Sequence, residues 1–360
     1  MTVSTPSLRS ISRSLLAWLA AILLLPVALA APAHAIVPRY AAFMVDANTR
    51  EVLYANAADE LRHPASLTKM MTLYLTFDAL ESGRLRITDP VTISRHAAAQ
   101  KPSRLGLAVG QSISVDNAIS VVAVKSANDI AVALAEKLGG SEPAFTQLMN
   151  AKARQLGMRN THFANASGLT DPTNVTTARD LAILSVALVH DHPRFYRYFS
   201  ERDFIWQRST LINHNHLLGK MVGLDGIKTG YTLDSGFTLA ASALRGNRRL
   251  IAVVLGEPSI VERNRDASAL LEAGFSVLDR RGLGQAATVA SVLPMLNHPA
   301  LRVDPVSAEG AADDAARPAI RHRRTGRRHG RRVHGQMLAA GSGGRPAHAA
   351  NHKSAHRHHH

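Results

Sequence analysis

The order of strand-like and helix-like segments restricts this 360-residue chain to few folds. Two short apolar runs, at 40–45 and 51–54, flank a turn-rich stretch and are typical of a β-hairpin. Helix-like segments follow, and strand-like runs return after Tyr198 before an amphipathic helix over 262–279. Because strands lie at both ends and helices between them, we predict an α+β domain whose terminal segments share one antiparallel sheet.

Helix periodicity and strand alternation give a set of individual predictions. The run after Pro64 predicts a helix over 65–82 that ends at Gly83, and residues 158–176 have the composition of a loop. No periodic segment of useful length follows Gly284. The remaining predicted helices cover 118–124, 130–138, 145–156 and 177–189, and an antiparallel meander is predicted from the runs 204–206, 225–232, 236–244 and 249–256.

Charge and hydropathy divide the chain into three parts. Residues 1–35 contain two arginines, an apolar run and Ala33-His34-Ala35, which together predict a secretory signal peptide and a location in the periplasm or cell envelope. An uncleaved membrane anchor is the alternative. The net charge of +15 is concentrated in residues 317–360, which carry ten arginines, one lysine, nine histidines and no acid. We therefore predict a signal peptide, a globular domain over 36–284, and a disordered linker and basic tail over 285–360.

Three short polar motifs interrupt the apolar segments at predicted element boundaries. Ser66 and Lys69 are three residues apart at a helix start, so their side chains share one helix face. Ser126-Ala127-Asn128 separates two apolar helices, and Lys228-Thr229-Gly230 lies in a strand-like run. The absence of cysteine excludes disulfides and thiolate chemistry. Each motif alone is common, but the ordered set is typical of serine acyl-transfer enzymes.

The sequence segments around these motifs resemble those of the D-alanyl-D-alanine carboxypeptidases among the low-molecular-mass penicillin-binding proteins. The resemblance extends over roughly residues 36–284 and is carried by 64–74, 125–135, 160–163, 167–169 and 222–232. It implies a five-stranded antiparallel sheet packed with helices, beside a mostly helical subdomain. It also implies a serine DD-peptidase that needs no cofactor or metal, with the peptidoglycan stem peptide as substrate and β-lactams as covalent inhibitors.

The resemblance also implies roles for the first two motifs. Ser66 would attack the carbonyl between the two terminal D-alanines and form an acyl-enzyme. Lys69 would be the base, provided that burial and a nearby cation lower its pKa. Ser126 would relay a proton to the leaving amine, and Asn128 would hold Lys69 and the substrate amide in place.

For the third motif, the resemblance implies substrate binding. Lys228 would supply the nearby positive charge and attract the substrate carboxylate, to which Thr229 would hydrogen-bond. Gly230 would let the substrate approach the strand backbone. The backbone N–H of Tyr231, together with that of Ser66, would hold the oxyanion.

Two departures qualify the resemblance. No Glu occurs from residue 143 to 200, where class A β-lactamases place their deacylating Glu, so efficient β-lactam hydrolysis is not expected. Glu257 follows the last predicted strand, where family members often carry a carboxylate-binding basic residue, and Arg263 is the candidate substitute. His214 and His216 have metal-ligand spacing but no convincing third ligand, so no metal site is predicted.

Two other functions remain as alternatives. A DD-endopeptidase that cleaves peptidoglycan cross-links would form the same acyl-enzyme. A non-catalytic basic protein of the cell envelope would instead bind a polyanion, and would be indicated by the loss of one motif. In either case the 317–360 tail could attract an anionic membrane or wall polymer, whereas no specific nucleic acid is expected.

Overall fold

The computed structural model describes residues 40–293, so the predicted signal peptide and basic tail lie outside the described part. The strands are β1 Ala41–Asp46, β2 Val52–Asn56, β3 Pro90–Thr92, β4 Ser112–Ser114, β5 Asp203–Trp206, β6 Ser209–Ile212, β7 Leu224–Thr232, β8 Gly236–Arg245 and β9 Arg248–Glu257. The helices are α1 Thr68–Glu81, α2 Arg95–Ala98, α3 Val115–Val124, α4 Asn128–Gly139, α5 Glu142–Leu156, α6 Ala178–Asp191, α7 Ile260–Gly282 and α8 Val289–Val292. Short 3₁₀ turns cover Ala65–Leu67 and Tyr196–Ser200.

One five-stranded antiparallel sheet has the order β2-β1-β9-β8-β7. The N-terminal hairpin joins strands from the far end of the domain, and Phe43 of β1 lies opposite Val253 of β9. The prediction of an α+β domain with a sheet built from both ends is therefore confirmed. The order leaves β7, which carries the Lys228-Thr229-Gly230 motif, at one edge of this sheet.

Each face of the sheet is covered by helices. Phe43 and Val253 belong to the hydrophobic cluster that includes α1 and α6. Met44 and Val254 face the opposite way and pack with α7 residues such as Leu270. The alternation follows from the two-residue period of a strand, and each fully buried side chain of this size stabilises the fold by about 1.5–3 kcal/mol.

Helix α1 lies in the interior of the helical region. It is apolar around most of its circumference, which is typical of a helix with neighbours on all sides. The 3₁₀ turn Ala65–Leu67 leads into α1, and Gly83, with a φ of 72°, follows its end. The predicted helix over 65–82 is confirmed, and its first turn places the Ser66-x-x-Lys69 motif inside the molecule.

The other predicted helices are confirmed with small shifts at their starts. Helix α5 begins three residues before the predicted Phe145, because the Ser141 side chain accepts a hydrogen bond from the Ala144 N–H and caps it. Ser114 caps α3 through the Asn117 N–H, and Thr177 caps α6 through the Asp180 N–H. Helix starts are thus set by capping residues that lie before the apolar pattern.

Two predictions require correction. The run 204–206 is not part of the meander, because β5 pairs only with β6 in a separate hairpin, and β7, β8 and β9 form the meander. Beyond Gly284 the chain still forms α8, which buries Val289 and Val292 beside α7. Helix α8 is one turn long, which is too short for periodicity to reveal.

None of the helices between residues 40 and 293 has the length and apolar character that a membrane crossing requires.

Candidate active site

Ser66 lies in the 3₁₀ turn that precedes α1 and is partly exposed to a pocket. Ala65, immediately before it, has a φ of 48°, a left-handed conformation that is strained for a residue with a side chain. The Ser66 Oγ atom is 3.0 Å from the Lys69 Nζ atom. The turn therefore presents the serine hydroxyl to solvent while the lysine amine remains behind it.

The Lys69 amine is completely buried and contacts three oxygen atoms. Besides Ser66 Oγ, these are Asn128 Oδ1 at 2.7 Å and the backbone carbonyl of Ser167. Burial holds the pKa of Lys69 well below its usual range, the nearby Lys228 lowers it further, and Asp129 opposes the shift. These surroundings favour the neutral amine.

The hydrogen-bond geometry suits a neutral Lys69 that accepts a proton. Asn128 Nδ2 donates to the Lys101 carbonyl at 2.9 Å, so its Oδ1 atom is the one that faces Lys69. A neutral amine has two N–H groups and one lone pair. When the carbonyl oxygens of Asn128 and Ser167 accept the two N–H groups, the lone pair is left for the Ser66 hydroxyl. The arrangement can therefore deprotonate Ser66.

Ser126 is held in the same pocket by an unusual backbone conformation. Its φ is 61°, and its Oγ atom is buried without a hydrogen-bond partner among residues 40–293. The residue at the N-cap of α4 is Ala127, which makes no side-chain cap hydrogen bond. Ser126 and Asn128 are therefore not the capping residues of this helix, and the Ser126 hydroxyl remains available to a bound molecule.

The third motif forms the wall opposite the 3₁₀ turn. A Cβ atom at Gly230 would lie 2.9 Å from the Ser66 backbone nitrogen and 2.6 Å from Thr238 Oγ1, so only glycine allows this approach. Lys228 is buried behind the wall and donates a hydrogen bond to the Thr229 carbonyl at 3.1 Å. Burial, assisted by the positive charge of Arg263, lowers the pKa of Lys228 to about 7.

All three motifs meet at one pocket of about 530 Å³. Lys69 and Lys228 are buried and do not line it directly. The predicted site residues that line it are Ser66, Ser126, Asn128, Thr229, Gly230 and Tyr231.

Several residues complete the pocket. Arg263, in the first turn of α7, lines it, although sequence reasoning treated this residue only as a substitute. Glu257 is buried and does not line the pocket, and burial, together with the neighbouring Asp266, raises its pKa. His214 and His216 also line the pocket, and burial together with Lys228 lowers the pKa of His214 to about 4. The residues around the pocket include no carboxylate, so the cavity is suited to an anionic ligand.

The role of Ser167 was not accessible from sequence. Its backbone carbonyl contacts Lys69, and backbone atoms carry no residue-type signal. The loop is shaped by Asn165, whose Oδ1 atom accepts the Gly168 N–H at 2.7 Å. The sequence marked this segment only through the Ser167-Gly168 pair, which indicates a turn, and through the family resemblance of residues 167–169. No group of three or more His, Cys, Asp or Glu side chains within residues 40–293 is placed to hold a metal ion.

Comparisons with known proteins identify relatives of this chain. The chain is 41% identical over 238 residues to the D-alanyl-D-alanine carboxypeptidase DacD of Salmonella typhimurium, which covers 64% of this chain and 61% of that protein. Penicillin binding protein 5 of Haemophilus influenzae superposes with a TM-score of 0.64 at 38% identity and covers 68% of this chain and 72% of that one. The cefotaxime-bound form of penicillin-binding protein D2 of Listeria monocytogenes gives a TM-score of 0.60 at 33% identity, with 65% and 96% covered.

These matches cover only part of this chain and of most of its relatives. The chain spans about 61% of the length of curated relatives such as the Salmonella typhimurium protein. A model of the D-alanyl-D-alanine carboxypeptidase family matches residues 30–259, which include all three motifs and the sheet up to β9. The chain therefore belongs to the D-alanyl-D-alanine carboxypeptidase family.

Proposed function

We propose that this protein is a serine-type D-Ala-D-Ala carboxypeptidase that removes the terminal D-alanine from peptidoglycan pentapeptide stems through an acyl-enzyme on Ser66. The observation that carries the proposal is the buried Lys69 amine, 3.0 Å from Ser66 Oγ, with carbonyl acceptors for both N–H groups of its neutral form. Family membership supports the same chemistry.

In the first half-reaction, Ser66 Oγ attacks the carbonyl of the penultimate D-alanine and its proton passes to Lys69. The backbone N–H groups of Ser66 and Tyr231 stabilise the oxyanion, since Gly230 brings β7 against the Ser66 nitrogen. Ser126, whose hydroxyl has no partner among the described residues, gives its proton to the leaving amine and takes the proton of Lys69 in return, so that Lys69 is neutral again. The C–N bond breaks, D-alanine leaves, and an ester on Ser66 remains.

In the second half-reaction, water attacks the ester and Lys69 takes its proton. The bond between the acyl carbon and Ser66 Oγ breaks, Lys69 returns the proton to Ser66 Oγ, and the shortened stem leaves. The terminal carboxylate of the substrate binds at the basic end of the pocket, where Thr229 donates a hydrogen bond and Lys228 and Arg263 supply positive charge. A β-lactam bears a carboxylate in a comparable position and acylates the same serine. One relative in the family superposes in a cefotaxime-bound form.

Labelling with a fluorescent penicillin tests the proposal. The full-length protein should become labelled, and trypsin should release the label on the peptide of residues 63–69, in which Ser66 is the only serine. The same preparation should release D-alanine from a pentapeptide stem. Absence of label, or label on another peptide, would contradict the assignment of Ser66.

Substitution Arg263→Gln should remove the preference for a substrate with a free terminal carboxylate. We expect roughly a tenfold rise in KM for the pentapeptide, because a charge-assisted hydrogen bond or ion pair in a partly dry pocket is lost. The C-terminal amide of the same peptide should be affected far less. Arg265→Gln is the matched control, since Arg265 lies on the same helix but pairs with Asp266 at 2.7 Å. Equal losses with carboxylate and amide would contradict this role.

Four further proposals concern an alternative activity, a non-catalytic function, the location of the protein and the role of its tail. A DD-endopeptidase would use the same site, and digestion of purified cross-linked muropeptides separates the two activities. The non-catalytic alternative is not favoured, because residues of all three motifs are present around one pocket. We propose secretion to the periplasm or cell envelope from residues 1–35, and attraction of the tail to anionic lipid or wall polymer from its charge alone.

A further inference from the structure

Residues 101–106 form an irregular segment beside the pocket, and Pro102 and Ser103 line the pocket wall. The segment is hydrogen-bonded to Asn128 at two points. The Ser103 carbonyl accepts the backbone N–H of Asn128 at 2.7 Å, and the Lys101 carbonyl accepts a side-chain N–H of Asn128 at 2.9 Å. The segment therefore fixes both the main chain and the side-chain amide of this active-site residue.

Asp129 attaches the far end of the segment to the same helix start. This residue is only 1% exposed. Its Oδ1 atom accepts the Leu105 N–H at 3.0 Å, and its Oδ2 atom accepts the Gly106 N–H at 2.8 Å. A carboxylate can serve two such donors because it has acceptors on both oxygens and no hydrogen of its own. Residues 101–106 are thus held by two consecutive residues of α4.

The orientation of the Asn128 amide decides whether Lys69 can act as a base. With Oδ1 towards Lys69, the amide accepts an N–H of the neutral amine. In the reversed orientation Nδ2 would face the amine and compete for the lone pair that Ser66 requires. The Lys101 carbonyl selects the first orientation, because a carbonyl can only accept a hydrogen bond. The position of that carbonyl depends on the segment that Asp129 holds.

The charge of Asp129 acts on the same amine. Burial and the positive charge of Lys228 lower the pKa of Lys69, whereas the Asp129 carboxylate raises it. Within residues 40–293, Lys228 on β7 and Asp129 on α4 are the charged groups that shift this pKa, since the three hydrogen-bond partners of the amine are uncharged. Asp129 thus limits the fall of the pKa, which keeps Lys69 basic enough to take a proton.

We propose that Asp129 is a positioning residue for the acylation of Ser66, because it holds the segment that orients the Asn128 amide. The inference rests on the proposed function, in which Lys69 is the base. Asp129 does not line the pocket, so it acts on the reaction through other groups. A carboxylate that only stabilised the fold would leave the pH dependence of acylation unchanged, and this difference can be measured.

The test is Asp129→Asn in the full chain, with acylation by a fluorescent penicillin followed by stopped flow over a pH series. Asparagine keeps the size of the side chain but sets an amide N–H against one of the two backbone donors. We expect the plateau rate of acylation to fall by up to about 100-fold, as a small displacement of a catalytic group does. Because a negative charge near Lys69 is lost, the fall of the rate in acid should move to lower pH.

Asp180→Asn is the matched control. Asp180 is also buried, and its Oδ2 atom accepts the Asn160 N–H at 2.8 Å and the Thr161 hydroxyl at 2.7 Å, but it does not line the pocket. This variant should lose stability in urea and keep the wild-type plateau rate and pH dependence. The proposal is overturned if Asp129→Asn acylates at the wild-type rate, if its acid limb stays at the wild-type pH, or if Asp180→Asn shows the same changes.

Ser103→Ala tests the segment without altering Asp129, and it decides the matter if Asp129→Asn does not fold. The Ser103 hydroxyl donates to the Lys125 carbonyl at 3.0 Å, so its removal loosens the segment while the charge near Lys69 remains. Acylation should slow by about fivefold, the worth of one ordinary hydrogen bond, with an unchanged acid limb. A wild-type rate would overturn the proposal. Failure of the proposed function looks different, because the wild type itself would then not be labelled on residues 63–69.

Discussion

Substitution Lys69→Arg is expected to lower the rate at which penicillin acylates Ser66 by ~10³-fold, within the range found for the loss of a general base. Arginine is also a long basic side chain, but it does not give up its proton in a protein. The buried site that lowers the pKa of Lys69 therefore cannot produce a base from arginine. Lys69→Met should show a loss of similar size, since it also removes the proton acceptor.

Stopped-flow labelling with a fluorescent penicillin measures this rate, and a pH series adds a second readout. In the wild type, acylation should fall as acid protonates Lys69, whereas the residual rate of Lys69→Arg should not show that titration. Lys137→Arg is the matched control, because Lys137 lies exposed on α4. An arginine variant that keeps more than about one-tenth of the wild-type rate would rule out Lys69 as the base.

Substitution Gly168→Ala should both destabilise the fold and abolish the reactivity of Ser66. A Cβ atom at Gly168 would lie 1.8 Å from the Ala65 carbonyl oxygen, so the loop or the 3₁₀ turn must move. Gly168 also has a φ of 81°, which disfavours alanine. We expect a loss of at least about 3 kcal/mol in the free energy of unfolding, the sum of backbone strain and overpacking.

Gly140→Ala separates these two contributions. Gly140 has a similar φ of 78°, but a Cβ atom there meets nothing within 4 Å. It should cost only the backbone strain, about 1–2 kcal/mol, and leave labelling of Ser66 intact. Urea denaturation measures both variants. Equal destabilisation by the two, with labelling preserved in both, would show that the contact between Gly168 and Ala65 does not position the nucleophile.

Contacts between residues that are close in the sequence could be predicted, whereas contacts that depend on tertiary packing could not. Ser66 and Lys69 are near in sequence, and their three-residue spacing on α1 sets their proximity. Asn128 meets Lys69 only through tertiary packing, so sequence could associate the two through the ordered motif set but not through geometry. The contact from Ser167 involves a backbone carbonyl, which no residue type reveals.

Among the elements of the fold, the long helices could be predicted from sequence, whereas one hairpin and one short helix could not. Apolar periodicity predicted α1 and α6, because each of these helices spans several turns. The separate β5–β6 hairpin was missed, since pairing partners are selected in three dimensions and the alternation of 203–206 suits either sheet. Helix α8 was missed because one turn gives no period, although Thr288 supplies a capping box.

The pairing of β1 with β9 has a consequence for biosynthesis. Ala41 lies opposite Leu255, so the first strand that emerges during synthesis finds its central partner only after roughly 200 further residues have followed. The edge strand with Lys228 is also made late, long after Ser66 and Lys69. A partly synthesised chain therefore carries the serine and its lysine before the domain that buries the lysine and the strand that carries Lys228 are complete. We therefore expect reactivity towards acyl donors only after β7 and β9 have been made.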